Sequence, residues 1–141
     1  GDDTCALFGE LMVAQAEAAG LAGFVVGAAS RDTDLLSRGK FPIFAAGRSP
    51  CGPTKAVPGT LGRAISLGGV AVLPGDLVVG DIDGVVIIPR ADVAGVLDAA
   101  DHKLAAEKQR LAEIERGELV SPWLDAALRS AGLPPLNPHE S

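Results

Sequence analysis

The chain has 141 residues and a net charge of −6, with 48% hydrophobic and 21% charged residues. This composition excludes a disordered chain, and the length fits one domain with a buried core. The acidic balance argues against a nucleic-acid partner, which needs clustered positive charge, and no apolar run approaches the about 20 residues that cross a membrane.

The first predicted element is a helix over residues 9–19. Helix-forming residues recur there at three- and four-residue spacing, and Gly20 is placed to end the helix. Two starts are open. Either Thr4 caps a helix that runs through Gly9, or residues 1–8 form a loop and the helix opens at Gly9.

A buried strand and a short helix come next in the chain. Residues 23–26 predict the strand, and residues 27–32 predict the turn that leaves it. Asp32 or Thr33 can then cap a short helix that ends near Gly39.

Short strands fill the middle of the sequence. Residues 41–46 fit a strand. Residues 47–62, which are rich in proline and glycine, predict a long ordered loop or a surface arm. The pair Asp83-Gly84 is typical of a hairpin, because both residues tolerate the positive φ of two-residue turns. The other predicted strands cover residues 64–67, 70–73, 77–79 and 85–88.

The last part of the chain predicts two helices. The first is long, carries one apolar stripe and breaks at Gly117. Its stripe consists of Val93, Leu97, Ala100, Leu104, Leu111 and Ile114. Because such a stripe exposes more apolar surface than a short chain covers, we expect a homo-oligomer. Ser121 and Pro122 start the second helix, which Gly132 ends.

Glu107 interrupts the apolar stripe of the long helix. Its carboxylate either lies where the stripe emerges into solvent or reaches into a polar cleft of a neighbouring molecule. Cys5 and Cys51 lack the spacing of a zinc or redox site and need no disulfide framework, which is typical of the reducing cytoplasm. We therefore expect a cytoplasmic protein.

The pair Arg31-Asp32 carries the strongest chemical signal, because it follows a predicted buried strand. Strand ends in α/β folds present polar side chains to a ligand crevice. An arginine there can bind a carboxylate, and an aspartate can hold a hard cation. The alternative is a helix-capping Asp32 beside a solvated Arg31.

The start of the first helix is a second candidate half-site. If the helix opens at Gly9-Glu10-Leu11-Met12, its first amides are unpaired and its dipole favours an anion. The alternative is an ordinary amphipathic helix with Glu10 in its first turn.

A series of short motifs runs through the chain. They are Gly1-Asp2, Ala6, Gly9-Glu10-Leu11-Met12, Arg31-Asp32, Phe41-Pro42-Ile43-Phe44-Ala45, Gly52-Pro53-Thr54-Lys55, Gly68-Gly69-Val70, Pro74-Gly75-Asp76-Leu77-Val78-Val79-Gly80-Asp81 and Asp83-Gly84-Val85-Val86. In order and spacing, residues 1–123 resemble the RraA-like family, which includes the 4-hydroxy-4-methyl-2-oxoglutarate/4-carboxy-4-hydroxy-2-oxoadipate aldolases and the regulators of ribonuclease activity.

The resemblance implies an α/β fold, a swivelling β/β/α domain with a long C-terminal helix. This domain would cover residues 1–133, with an extended tail over residues 134–141, and would assemble as trimers or hexamers. Glu107 would match an acid that the C-terminal helix of an adjacent subunit contributes.

The resemblance also implies roles for the candidate residues. Arg31 would bind the 2-oxo acid and steer proton transfer, Asp32 would ligate a divalent metal, and Glu10 would hold metal-bound water. The amides of Leu11 and Met12 would receive the substrate carboxylate. The substrate-binding positions implied are thus Gly9, Glu10, Leu11, Met12 and Arg31.

The chemistry of such a substrate favours a metal. Cleavage of a carbon–carbon bond next to a 2-oxo acid leaves an enolate, which needs a lysine Schiff base or a Lewis-acid metal as electron sink. No lysine lies in an apolar segment that would favour a neutral amine; the lysines are Lys40, Lys55, Lys103 and Lys108. Oxygen ligands without cysteine or histidine select Mg²⁺ or Mn²⁺.

The chain departs from the family pattern at two places. Gly27-Ala28 stands where family members carry an aspartate-glycine pair, so local geometry or substrate preference differs. The family has a region before the position of Gly1 that this sequence lacks. We therefore expect either that the chain is a fragment or processed piece, or that a separate N-terminal segment completes the sheet.

We therefore predict a class II, metal-dependent aldolase/decarboxylase. It would cleave short 2-oxo dicarboxylic acids, such as 4-hydroxy-4-methyl-2-oxoglutarate or oxaloacetate, to give pyruvate. The alternative is a non-catalytic protein of the same family that binds and regulates a ribonuclease. A third hypothesis is that the chain is a family member that acts on another hydroxy- or oxo-acid, or one that has no activity.

Overall fold

The computed structural model describes residues 4–134 of the chain. The chain divides into two compact units, Gly1–Val93 and Ala94–Ser141. The tail predicted for residues 134–141 lies outside the described residues from residue 135 onward. Within the described part, no helix is both long and apolar enough to span a membrane.

A three-stranded parallel sheet forms the centre of the first unit. The elements of this part of the chain are β1 (Ala6–Phe8), α1 (Glu10–Ala18), β2 (Phe24–Ser30), α2 (Thr33–Leu36) and β3 (Ile43–Arg48). The strand order in the sheet is β1-β2-β3. The helix α1 connects β1 to β2, and the single-turn helix α2 leads from β2 toward β3. This mixed α/β architecture agrees with the predicted fold class.

The core of this unit lies where β1, β2 and α1 pack together. A row of aromatic rings extends it, since Phe24 meets Phe8 at 5.2 Å and Phe41 at 5.1 Å between ring centroids, both edge to face. Such pairs stabilise beyond the apolar area that they bury. The buried apolar residues are Ala6, Phe8, Val13, Ala16, Ala28 and Ala29.

Two antiparallel hairpins complete the first unit, at the positions where the turn residues predict them. The second hairpin forms as predicted, but its two-residue turn is Ile82-Asp83 and not Asp83-Gly84, because Gly84 pairs with Asp81 and belongs to the following strand. The four hairpin strands are β4 (Ile65–Leu67), β5 (Val70–Val72), β6 (Leu77–Asp81) and β7 (Gly84–Ile88).

The second hairpin contacts the central sheet at Gly80. A Cβ atom at this position would lie 2.6 Å from Cζ of Phe44, a β3 residue. The Phe44 ring therefore lies directly against the backbone of β6, and only glycine allows this approach.

The first helix begins where one of the two predicted starts places it. Gly9 is the residue before α1, so a helix running from Thr4 through Gly9 is wrong. The loop predicted for residues 1–8 is also wrong in part, because Ala6–Phe8 form β1. Three residues carry too short a pattern to indicate a strand. Residues 6–8 form a strand only because they pair with β2.

The turn predicted for residues 27–32 is largely a continuation of β2, which extends to Ser30. Ala28 and Ala29 are buried there, and β1 and β3 pair with this end of the strand. Small residues are typical of turns, but here they allow the close contact between packed strands. Likewise β3 extends to Arg48, into the segment predicted as loop.

Glycines end three helices, as predicted. Gly20, Gly117 and Gly132 have φ of +78°, +86° and +72°. In each case the following amide donates back to a carbonyl five residues earlier, as Leu21 does to Ala16 at 3.0 Å. This arrangement satisfies the last carbonyls of a helix and requires a left-handed residue.

The second unit contains the helices α3 (Val93–Glu115) and α4 (Leu124–Ser130). Arg110 stabilises the end of α3. Its guanidinium donates one hydrogen bond to the Glu113 carboxylate at 2.9 Å and another to the carbonyl of Leu119 at 2.8 Å. The hydrogen bond from Arg110, with a second one from Gln109, lowers the pKa of Glu113. Glu113 therefore stays charged and keeps this ion pair at neutral pH.

The contact between Gly80 and Phe44 yields a stability prediction. We expect Gly80→Ala to destabilise the protein by about 1–3 kcal/mol, because the added methyl group overpacks the ring. Urea unfolding followed by circular dichroism measures the change. Gly59→Ala is the control, since a Cβ there meets nothing within 4 Å. Equal unfolding midpoints for both variants would contradict the described packing.

Candidate functional site

The predicted half-sites meet at the carboxyl ends of β1 and β2. The amide of Arg31 donates to the carbonyl of Phe8 at 3.1 Å, which extends the pairing of these strands by one residue. Gly9 and Glu10 follow β1 directly and open α1. The chain thus brings Arg31-Asp32 beside the start of α1, as strand ends in a parallel sheet require.

Asp32 contacts the first turn of α1 with its side chain. Its Oδ2 accepts a hydrogen bond from the amide of Glu10 at 3.1 Å. Asp32 also precedes α2, but its carboxylate makes no capping bond to that helix. The interpretation of Asp32 as a side-chain cap of its own helix is therefore wrong, since the carboxylate caps α1 instead.

The backbone of Asp32 has a left-handed conformation with φ +56°, the single non-glycine residue of positive φ in the described chain. Asparagine and aspartate tolerate this region better than other side chains do. The backbone reversal lets the carbonyl of Asp32 start α2, accepting from the amides of Leu35 and Leu36, while the side chain faces α1.

Arg31 forms a loose ion pair with its neighbour. Its Nε lies 3.7 Å from Oδ2 of Asp32, and the two side chains are 49% and 40% exposed. The far end of the guanidinium points toward Gly52, where a Cβ would lie 3.4 Å from Nη1. Both charges thus face a partly solvated site and are available to a ligand.

Gly9 makes this juxtaposition possible for a steric reason. A Cβ at Gly9 would collide with Oδ2 of Asp32 and lie 3.0 Å from the Arg31 side chain. The φ of Gly9 is −149°, which any residue can adopt. Glycine is therefore needed here for the space that it leaves.

Two amides at the start of α1 are free for an anion. The amide of Glu10 is taken by Asp32, and that of Val13 donates to the carbonyl of Gly9 at 3.2 Å. The amides of Leu11 and Met12 have no acceptor among residues 4–134. Unpaired amides of this kind attract carboxylates, reinforced by the helix dipole. The Glu10 side chain is exposed beside them.

A cleft of about 470 Å³ adjoins the pair Arg31-Asp32. It contains a second arginine, Arg48, which the sequence reasoning missed because it assigned residue 48 to a loop. Arg48 ends β3 and pairs in register with Ser30. The position of Arg48 at the end of a predicted strand is the sequence signal that indicates a site residue. The cleft is lined by Ser30, Arg31, Asp32, Thr33, Arg48, Ser49 and Pro50.

A divalent cation fits Asp32 if the cation keeps most of its water. Oδ2 is engaged by Glu10, whereas Oδ1 has no partner within the described residues. Magnesium commonly uses one or two carboxylates and several waters. The described residues contain no cluster of three histidine, cysteine, aspartate or glutamate side chains for an all-protein cage. Binding of Mg²⁺ or Mn²⁺ at Asp32 stays a prediction.

Glu107 lies on α3 in the second unit. Its carboxylate is 3.7 Å from Nζ of Lys103, one helical turn earlier, and both side chains are largely exposed. Exposed pairs at this spacing contribute little to stability. The role of Glu107 as an acid for an adjacent subunit stays a prediction.

Gly27-Ala28, the departure from the family pattern, lies within β2. Leu67 Cδ1 would lie 3.1 Å from a Cβ at Gly27. The pair lines a second cleft, of about 490 Å³, which includes Cys5, Leu7 and Ser66. Both cysteines of the chain are free thiols.

Comparisons with known proteins give the family. The model "RraA-like: Aldolase/RraA" matches residues 1–87. A Halalkalibacterium halodurans protein named "Putative 4-hydroxy-4-methyl-2-oxoglutarate aldolase" is 41% identical over 110 residues, which are 78% of this chain and 52% of the relative. The chain spans about half the length of the curated relatives that it matches.

Solved structures agree with this fold. An uncharacterized protein from Pseudomonas syringae superposes with a TM-score of 0.71 at 29% identity, over 83% of this chain and 58% of that one. Streptomyces coelicolor RraAS2, described as an unusual member of the RNase ES inhibitor RraA protein family, gives a TM-score of 0.70 at 31% identity. The match covers 77% of this chain and 57% of that one.

The hydrogen bond from Glu10 to Asp32 yields the prediction for this site. We expect Asp32→Ala to destabilise the protein by about 1–2 kcal/mol, as loss of a helix cap does. Asp32→Asn should stay within about 0.5 kcal/mol, because asparagine caps equally well and tolerates positive φ. Urea unfolding measures all variants.

Asp34→Ala is the matched control. Asp34 forms an exposed ion pair with Arg38 at 2.8 Å. Its removal should cost less than about 0.5 kcal/mol. If Asp32→Ala were no more destabilising than Asp34→Ala, the Asp32 carboxylate would not be fastening the start of α1.

Proposed function

The chain belongs to the RraA-like family, and on that premise we propose that it is a class II aldolase/decarboxylase that releases pyruvate from short 2-oxo dicarboxylic acids. One observation carries this proposal: the hydrogen bond between Asp32 and Glu10, which brings a carboxylate, the Arg31 guanidinium and two free helix amides to one place. The proposed substrates are 4-hydroxy-4-methyl-2-oxoglutarate and oxaloacetate.

The protein groups would bind the reacting end of the substrate. The amides of Leu11 and Met12 would receive the C1 carboxylate, because they lack acceptors within the described chain. Arg31 would hold the 2-oxo acid with its exposed guanidinium, and its positive charge would favour negative charge that develops on oxygen. The substrate would thus lie against the first turn of α1.

The proposed cleavage of the carbon–carbon bond needs no oxidant or reductant. In 4-hydroxy-4-methyl-2-oxoglutarate the C4 hydroxyl loses its proton and the C3–C4 bond breaks. One pyruvate leaves, and the enolate of a second pyruvate takes up a proton at C3. In oxaloacetate, the C3–C4 bond breaks with loss of carbon dioxide and gives the same enolate. Arg31 would steer these proton transfers by holding the oxygen end of the enolate.

Asp32 would hold a Mg²⁺ or Mn²⁺ ion through the oxygen that Glu10 leaves free. Glu10 would hydrogen-bond to water on the ion with its exposed carboxylate. A divalent cation supplies Lewis-acid stabilisation of the negative charge on the 2-oxo oxygen. The hydrogen bond from the amide of Glu10 would keep the Asp32 carboxylate oriented toward the ion.

Pyruvate release from oxaloacetate and from 4-hydroxy-4-methyl-2-oxoglutarate tests the proposed function. We expect turnover with Mg²⁺ and none with a chelator. Arg31→Ala should lower kcat/KM by about 100-fold or more, as loss of an oxyanion-binding group does. Asp32→Asn should lose metal-dependent turnover while remaining folded, because the amide keeps the cap but not the charge.

Arg38→Ala provides the control for Arg31→Ala. Arg38 is exposed and paired with Asp34, so its removal should leave the rate within about twofold. A lactate dehydrogenase-coupled assay reports pyruvate in every case. Equal rates for the wild type, the chelated protein and Arg31→Ala would exclude the proposed site.

The second candidate function is that of a non-catalytic regulator of a ribonuclease. It is favoured by the likeness to RraAS2, which is described as a member of an RNase ES inhibitor family. Stoichiometric binding of a purified ribonuclease, together with no metal-dependent turnover, would put this candidate first. Metal-dependent pyruvate release that Arg31→Ala abolishes would favour the aldolase.

We further propose that residues 1–133 form one swivelling β/β/α domain and that it assembles as trimers or hexamers. Exposed leucines on α3 support the assembly, since the described part of this helix has no buried residue. Leu104, for example, is 53% exposed. An apolar stripe of this kind is covered by a partner in most oligomers. In this assembly Glu107 would reach an adjacent subunit.

Light scattering tests the assembly. We expect a mass of three or six chains at micromolar concentration, reduced by Leu104→Lys because a charge then lies in the apolar stripe. Ala106→Lys is the control on the same helix, about 200° away from Leu104 around the helix axis. A single-chain mass for the wild type would refute the proposal.

A further inference from the structure

Arg48 lines the cleft that also contains Arg31 and Asp32 of the proposed reaction site. It ends β3, next in the sheet to the end of β2, and pairs in register with Ser30. Neighbouring strands are about 4.8 Å apart. Because Arg31 follows Ser30 directly, two arginines line one cleft from adjacent strands.

The guanidinium of Arg48 has no carboxylate partner among residues 4–134. Elsewhere in the described chain, Arg38, Arg110 and Arg116 each pair with an acidic side chain at 3.0 Å or less. Arg48 is exposed to the cleft and makes neither an ion pair nor a side-chain hydrogen bond in this part of the structure. It is therefore free to bind an anion.

The charges of the cleft do not cancel. Two guanidiniums face one carboxylate, that of Asp32, which already accepts the Glu10 amide. This local positive excess lies in a chain whose net charge is −6. Thr33 lines the same space, and its hydroxyl group can donate a hydrogen bond to a carboxylate. The cleft is thus suited to a second anionic group beyond the one at α1.

We propose that Arg48 binds the distal carboxylate of a dicarboxylic 2-oxo acid and so determines the substrate class. This inference rests on the proposed function, because the first carboxylate is assigned to the amides of α1 and to Arg31. A planar guanidinium matches a carboxylate with two parallel hydrogen bonds. Monocarboxylic 2-oxo acids of the same length leave Arg48 unpaired and bind less tightly.

Calorimetric binding of two matched ligands in the presence of Mg²⁺ tests this assignment. 2-Oxoglutarate and 2-oxopentanoate have five carbons each, and only the first carries a distal carboxylate. We expect the wild type to bind 2-oxoglutarate at least about tenfold more tightly, as a charged hydrogen bond provides. Arg48→Ala should remove this preference and leave the affinity for 2-oxopentanoate unchanged.

Two further variants keep the test specific. Arg48→Lys retains the positive charge but not the planar guanidinium with its two parallel hydrogen bonds, so it should keep part of the preference for 2-oxoglutarate. This variant also shows whether the loss in Arg48→Ala results merely from unfolding. Arg63→Ala removes an exposed arginine outside the cleft and should change neither affinity.

Three results would overturn the assignment. One is equal affinity of the wild type for both ligands, or no binding of either. Another is a loss in Arg48→Ala that is the same for both ligands. The third is tighter binding of inorganic phosphate than of 2-oxoglutarate, which would make the cleft a phosphate site. Because no turnover is needed, a preference that depends on Arg48 without pyruvate release would reject the aldolase and retain the dicarboxylate site.

Discussion

The candidate site depends on the approach of the Asp32 carboxylate to the first amide of α1. This hydrogen bond joins the end of β2 to the beginning of the helix that follows β1. It is possible because Gly9 leaves the space that a Cβ would fill and because Asp32 adopts a left-handed backbone. A side chain at position 9 would collide with the Asp32 carboxylate and so disturb its hydrogen bond to the helix.

The two oxygens of the Asp32 carboxylate have different roles, one in stabilising α1 and the other in the proposed chemistry. Oδ2 satisfies one of the orphan amides at the helix start, which stabilises α1 and fixes the side-chain orientation. Oδ1 has no partner among residues 4–134 and would hold the proposed hydrated cation. Asparagine at position 32 separates the two roles, because its amide group keeps the acceptor but lacks the charge. Stability and turnover can therefore be measured independently at a single position.

The parallel sheet explains why the cleft collects positive charge. Its three strands end on one side, so residues that follow β2 and residues that end β3 become neighbours although 17 positions separate Arg31 from Arg48. In the proposed reaction one arginine serves the 2-oxo end and the other the distal carboxylate. A substrate with two anionic ends then lies across two adjacent strand ends, which is where open α/β sheets bind ligands.

Local sequence patterns determined the helix stops at Gly20, Gly117 and Gly132, because backbone conformation there depends on a few adjacent residues. They also indicated the second hairpin, but strand pairing placed its turn at Ile82-Asp83, one residue earlier than predicted. The motifs also indicated the family and the pair Arg31-Asp32. Tertiary structure alone decided that residues 6–8 form a strand, that β2 and β3 run to Ser30 and Arg48, and that the Asp32 carboxylate caps a distant helix. These outcomes depend on pairing and packing between segments far apart in sequence, for which single-chain periodicity carries no signal.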